Sequence, residues 1–329
     1  MPLVPRSRSA RAIGLLLCGV GAIAGAAAPA TAATPPAPRP LTFGTMTWSL
    51  TNSPATFLGS VLAAGGSVTP GAAASGPGSG TNATTPVAPG SVQAFSFPVA
   101  TGGTYDVATD TGTLDVIGSL TFASPQDGFP ISLVDPELTL DLSGPTSTFR
   151  SEGSGVAGPI APAADPTAGV FRLDTTKATV QRSVGQTRIT GIVPTVAQRG
   201  NPFPASYDVG VGPAAPAPVF GTIDLDVQYT IPATLTRLRG RTYTFGTGPY
   251  LKPLRTGTAA ATLATTPPTA EVLATGTLRR DGTATFTVPA RSVLRNGTLY
   301  TLKIAGQHST TIGLTCPGNG GRSGACVLR

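Results

Sequence analysis

Residues 118–142 read GSLTFASPQDGFPISLVDPELTLDL. Leu120 and Phe122 alternate with Ser119 and Thr121, a pattern that extends back to Leu114, Asp115 and Val116. Residues 131–134 form a short apolar run, and Leu138, Leu140 and Leu142 alternate with Glu137, Thr139 and Asp141. An apolar residue at every second position buries one face of a pleated strand and leaves the other to water. The spacing therefore predicts strands over 114–122, 131–134 and 138–142. Residues 123–130 and Asp135-Pro136 separate these runs, and Gly144-Pro145 marks a turn. This is the signature of an antiparallel sheet with one solvated face.

The same pattern recurs on both sides. Residues 41–50 predict a strand carrying Phe43, Met46 and the sole tryptophan, Trp48. Asn52-Ser53-Pro54 reads as a helix start, with proline in the first turn. Phe57, Leu58, Val61 and Leu62 then fall on one face of a short helix, which Gly65-Gly66 ends. Residues 67–90 are low-complexity Gly, Ala, Ser, Thr and Pro and predict a long loop. Strands resume at 93–99, and further ones are expected at 147–150, 169–174 and 187–193.

A second block begins near Gly221. Ile223, Leu225, Val227 and Tyr229 alternate with Asp224, Asp226 and Gln228. Strand patterns follow at 241–245, 257–264, 271–278, 283–288, 299–304 and 310–315. Arg280-Asp281-Gly282 and Arg295-Asn296-Gly297 read as hairpin turns. Short strands with turn signals every ~10 residues predict a small immunoglobulin-like β-sandwich over 221–329. Asp224 and Asp226 share one strand face, and no further oxygen ligands accompany them as calcium would need.

Composition supports a mainly β fold. The chain has 329 residues, with 42 glycines, 33 prolines and only 11% charged residues. That balance excludes a coiled coil and a charged disordered tail. Arg6, Arg8 and Arg11 precede the apolar stretch 12–28, and Ala30-Thr31-Ala32 fits the small-x-small cleavage pattern of an export signal. Residues 1–32 are read as that signal and 33–40 as a proline-rich linker. Losing Arg6, Arg8 and Arg11, and no acid, takes the formal net charge from +7 to +4. The remaining arginines form no basic stripe with interleaved aromatics, so nucleic acid is not an expected partner. No second apolar segment is present, so no transmembrane segment is expected in the mature chain, which is placed outside the cell or on its wall. In that oxidising space Cys316 and Cys326 are expected to form a disulfide, with Cys18 discarded in the signal.

Motifs for catalysis are lacking. The single histidine, His308, has no G-x-S-x-G elbow with it and cannot make a multi-histidine metal site. No phosphate-binding loop appears, and Gly246 and Gly248 precede Pro249 rather than a helix. Asp127 and Asp135 are carboxylates without a visible partnership. The chain is read as a non-enzyme.

Taken together, Trp48 in the opening strand, the helix after it, the spacing from Phe122 to Asp135-Pro136 and the Pro202–Tyr207 segment carry a family resemblance. Residues 41–213 resemble the HtaA domain of actinobacterial secreted and surface haem-uptake proteins. The resemblance implies an antiparallel β-rich domain with one short helix. It also implies haem as a ligand, held in the family by a tyrosine on the first helix and a histidine in the turn after the central strand. Counted from Trp48 and Phe122, those positions fall on Phe57 and Pro125, which offer iron no donor. Tyr105 and Tyr207 are the nearest substitutes. No cofactor is therefore expected from the residues, and haem enters by resemblance only. Trp48, Phe57 and Phe129 are the candidate pocket for haem or another apolar ligand, against the alternative that they are plain core. The rival to a ligand-binding role is a structural or adhesive wall-associated protein whose partners are cell-surface components.

Overall fold

The structure is a computed structural model and describes residues 39–53, 56–71, 73–76, 90–124, 129–144, 146–155, 158–159, 170–197, 220–266, 271–307 and 309–328. The expected export signal, most of the linker, Pro125, Asp127, Tyr207 and His308 lie outside the described residues, as does the side chain of Phe129.

The N-terminal part is built from β1 (Arg39–Thr51), α1 (Phe57–Ala63), β2 (Ser67–Pro70), β3 (Val92–Pro98), β4 (Thr104–Asp106), β5 (Thr111–Asp115), β6 (Ser119–Ser124), β7 (Phe129–Asp141), β8 (Thr148–Gly155), β9 (Gly158–Pro159), β10 (Phe171–Asp174), β11 (Thr179–Ser183), β12 (Gln186–Val196) and β13 (Thr222–Tyr229). They form one antiparallel sheet in the order β2-β6-β7-β5-β4-β1-β13-β12-β10-β8-β9, with β3 on β1 and β11 on β12. β7 also pairs with β8, which joins the two arms of that order.

The Asp-Pro motif explains why residues 129–141 are one strand rather than the two expected. Asp135 takes a left-handed φ of 41°, and the pairing of β7 with β8 shifts register between Val134 and Glu137. Pro136 has no N–H to give a ladder, so the chain bulges there instead of breaking. The Asp135 carboxylate accepts the Gly118 N–H at 2.8 Å, while the Asp135 N–H donates to the Gly118 carbonyl at 2.8 Å. That reciprocal pair divides the expected 114–122 strand into β5 and β6.

The short helix stands where expected, but its cap is Thr56 rather than Asn52 or Ser53. The Thr56 hydroxyl accepts the Gly59 N–H at 3.1 Å and donates to the Ser53 carbonyl at 2.8 Å. Residues 67–70, read as the start of a loop, form β2 on the edge of β6. Residues 77–89 of that loop lie outside the described residues.

The C-terminal part contains β14 (Ile231–Arg239), β15 (Thr242–Gly246), β16 (Thr258–Thr265), β17 (Val272–Arg279), β18 (Thr283–Thr287), β19 (Arg295–Asn296), β20 (Leu299–Ile304), β21 (Ser309–Thr315) and β22 (Gly324–Ala325). Seven of these close a barrel in the order β14-β15-β18-β17-β16-β20-β21, with a parallel β14–β21 seam. The expected immunoglobulin-like sandwich is thus corrected to a barrel. Period-2 alternation is common to both, and only closure, which leaves no free edge, separates them. β13 belongs to the other side of the boundary. It pairs with β1 and β12, and its buried face meets the row that holds Met46 and Trp48. Asn296, expected in a turn, is in β19 and pairs with Gly324.

The two parts share a packed seam. The Tyr229 ring meets Tyr250 edge-on at 5.9 Å. Gly185, in the turn between β11 and β12, has φ +76° and sits where a Cβ would come within 1.9 Å of the Thr310 hydroxyl on β21. Only glycine fits that approach. Among the described residues no helix is long and apolar enough to cross a membrane.

Candidate functional site

The structure brings Trp48 and Phe57 together, in a cluster closed to solvent. Trp48 is 1% exposed and Phe57 0%. Trp48 packs on Phe149 and Phe171, each with ring centroids 5.6 Å away. Phe57 meets Phe122 edge-on at 5.0 Å and stacks on Phe220 at 4.8 Å. The Trp48 indole N–H donates to the Phe220 carbonyl at 2.7 Å, so its one polar group is satisfied in the interior. As packed, the two residues are core.

The tyrosines are equally committed. The five within the described residues are all buried: Tyr105, Tyr229, Tyr243, Tyr250 and Tyr300. The Tyr105 hydroxyl donates to Asp110 at 2.9 Å, and burial together with that carboxylate pushes its pKa far up. Tyr229, stacked on Tyr105 with centroids 6.1 Å apart, is pushed up to about 12 by burial. The Tyr300 hydroxyl accepts the Arg295 N–H at 2.9 Å. Met46 is 0% exposed, and Cys316 and Cys326 are joined in the expected disulfide. No group of three metal-ligating side chains occurs among the described residues. As placed, none of these described side chains presents an accessible tyrosinate, thiolate or thioether of the kind a haem iron takes.

Two concave sites lie away from the aromatic core. The larger is a groove of about 580 Å³ at the seam. Pro40 and Leu41 of β1 form one wall, and Pro232, Leu299 and Leu314 of the barrel form the other. Among the described residues its lining contains no charged side chain, and threonines supply its polar edges. Leu299 is 49% exposed beside it. The smaller is a pocket of about 240 Å³ whose lining includes Arg182, Arg188 and Arg255. Sequence reading missed both, because each gathers residues from segments far apart in the chain. The one available signal was an apolar residue, Leu299, at a strand position that alternation leaves to solvent.

The architecture is that of a mainly β protein whose sheet carries a bulged Asp-Pro strand and a tryptophan-centred aromatic core. The HtaA family model, described as Htaa, matches residues 43–218, and the chain belongs to that family. The crystal structure of the C-terminal domain of HtaA from Corynebacterium glutamicum is similar over 58% of this chain and 98% of that one, at 15% identity and a TM-score of 0.36. No curated protein matches the chain.

Proposed function

We propose that this protein is an exported ligand-binding protein of the haem-uptake class, acting at or outside the cell surface. It holds its ligand by apolar contact in the seam groove and not through a bond to iron. The observation that carries this reading is the groove itself, an open and largely apolar concavity of about 580 Å³ on an HtaA-family chain. Pockets of this size and character take molecules of drug or porphyrin dimensions. Membership of the family supports haem as the first ligand to test. The burial of every described tyrosine supports retention without iron coordination. A flat apolar molecule without metal would then compete with haem, since burial does not discriminate the two.

The test is a haem titration of the chain lacking residues 1–32, followed in the Soret region. The expected result is a saturable change that Leu299→Arg weakens at least about tenfold, by putting an unpaired cation into an apolar wall. Binding that survives Leu299→Arg unchanged would place the ligand elsewhere. An absence of change with excess haem would remove haem from the reading and favour the structural or adhesive role.

A further inference from the structure

The smaller pocket has a chemistry unrelated to the groove. Gln181, Arg182, Ser183, Gln186 and Arg188 come from the β11–β12 hairpin, and Arg255 comes from the barrel segment before β16. Arg182 is paired with Asp110 from the β4–β5 turn. The Arg188 Nη2 donates to Asp226 Oδ2 of β13 at 2.9 Å. Gln186 donates its amide N–H to the other oxygen of Asp226 and accepts the Ser183 hydroxyl at 3.3 Å. These contacts hold two guanidinium groups in place across neighbouring strands.

The donors are not used up. A guanidinium carries five N–H groups in a rigid fork. The carboxylates engage one nitrogen each of Arg182 and Arg188, and Arg255 has no ion pair or hydrogen bond among the described residues. Three cations face two carboxylates, so the pocket retains positive charge. Its walls are rich in donors, and its volume exceeds that of a single oxyanion. We propose that this pocket binds a compact molecule through a phosphate or carboxylate group, bridging the hairpin and the barrel. Oriented guanidinium forks recognise the paired oxygens of either group. Such binding is independent of the apolar groove and of whether haem is bound there.

The experiment titrates the chain lacking residues 1–32 with inorganic phosphate and, separately, with succinate, by calorimetry at low ionic strength. Sodium chloride of matched ionic strength serves as the control. Saturable millimolar or tighter binding of at least one probe is expected. Binding of phosphate alone assigns a phosphoryl ligand, and binding of succinate alone a carboxylate. Arg255→Ala is expected to weaken binding about tenfold or more, as loss of a charge-assisted hydrogen bond would. Arg255→Lys should fall between, keeping the charge without the fork. Arg291→Ala, an exposed arginine outside the pocket, should leave binding unchanged. Arg255 is exposed and unpaired among the described residues, so its removal is not expected to unfold the chain. Failure of both probes to saturate, or binding equal in Arg255→Ala and the unaltered chain, overturns the proposal.

Discussion

The indole nitrogen of Trp48 donates to the main-chain carbonyl of Phe220 across 172 residues of sequence, at 2.7 Å. The bond ties the strand that opens the sheet to the residues that lead into β13, its neighbour in that sheet. Phe220 stacks on Phe57 and meets Phe171, so one contact links helix, sheet and closing strand.

Replacing Trp48 by Phe removes that donor from a buried carbonyl and leaves unfilled volume among Phe122, Phe149 and Phe171. The expected cost is about 2–4 kcal/mol, from an unmade buried hydrogen bond and lost packing. Urea denaturation of the two proteins measures it. A change below about 0.5 kcal/mol, the level of an ordinary surface substitution, would show that the indole is not part of the core.

Gly221 follows directly and has φ +73°, with a Cβ there meeting the Ser49 carbonyl oxygen at 1.9 Å. Gly221→Ala must move backbone against backbone where β13 joins β1. Destabilisation of about 3 kcal/mol or more is expected, because strain and steric overlap add. Soluble yield and thermal midpoint report it. Gly240→Ala, at φ +58° with no atom within 4 Å of its Cβ, should cost less because only the backbone conformation is strained.

The tyrosine pair fixes the behaviour at high pH. Tyr229 titrates at about 12 in the fold against 10.0 in the open chain, and Tyr105 is shifted upward more strongly. Between those values the unfolded chain has lost phenolic protons that the native state keeps. The stabilisation is therefore complete below pH 10 and is lost as pH rises through 12. For Tyr229 alone the change is on the order of 2–3 kcal/mol. Tyr229→Phe should flatten the alkaline fall in stability, as measured by denaturation at a series of pH values. A fall of the same steepness in Tyr229→Phe would assign it to other groups.

The C-terminus is held in two ways. The Cys316–Cys326 disulfide closes a loop with a sequence separation of 10. The Asn296 side chain accepts the Cys316 N–H at 2.7 Å and donates to the Arg322 carbonyl at 2.8 Å. Reduction should cost about 3 kcal/mol by the loop-entropy account, and Asn296→Ala about 1–3 kcal/mol through buried groups left unpaired. Thermal scans with and without reductant test the first. Asn296 also heads an Asn-Gly-Thr sequon, yet its amide is engaged and the residue is 8% exposed. The folded chain should therefore not be glycosylated there, and mass spectrometry after expression in a glycosylating host checks it.

Several features were readable from residue order because their physics is local. Alternation of Leu138, Leu140 and Leu142 with polar neighbours marks a half-buried strand wherever that strand goes. Gly65-Gly66 ends a short helix, and the two cysteines near the C-terminus, Cys316 and Cys326, form a bridge. The bulge at Asp135-Pro136 was half legible. The proline announced a break in the ladder, but the hydrogen bonds to Gly118 that turn the break into a bulge needed the partner strand in place.

Long-range pairing settled everything else. The apolar face of β13 would suit either part of the chain, and its assignment to the sheet of Trp48 depended on which strand edge lay beside it. Likewise the barrel closes only because β14 and β21, 70 residues or more apart, lie parallel. Trp48 and Phe57 are core because other aromatics from distant strands enclose them, and the two concave sites exist only where separate segments meet. Burial and charge convergence are properties of neighbours in space, whereas alternation and turn chemistry are properties of neighbours in the chain.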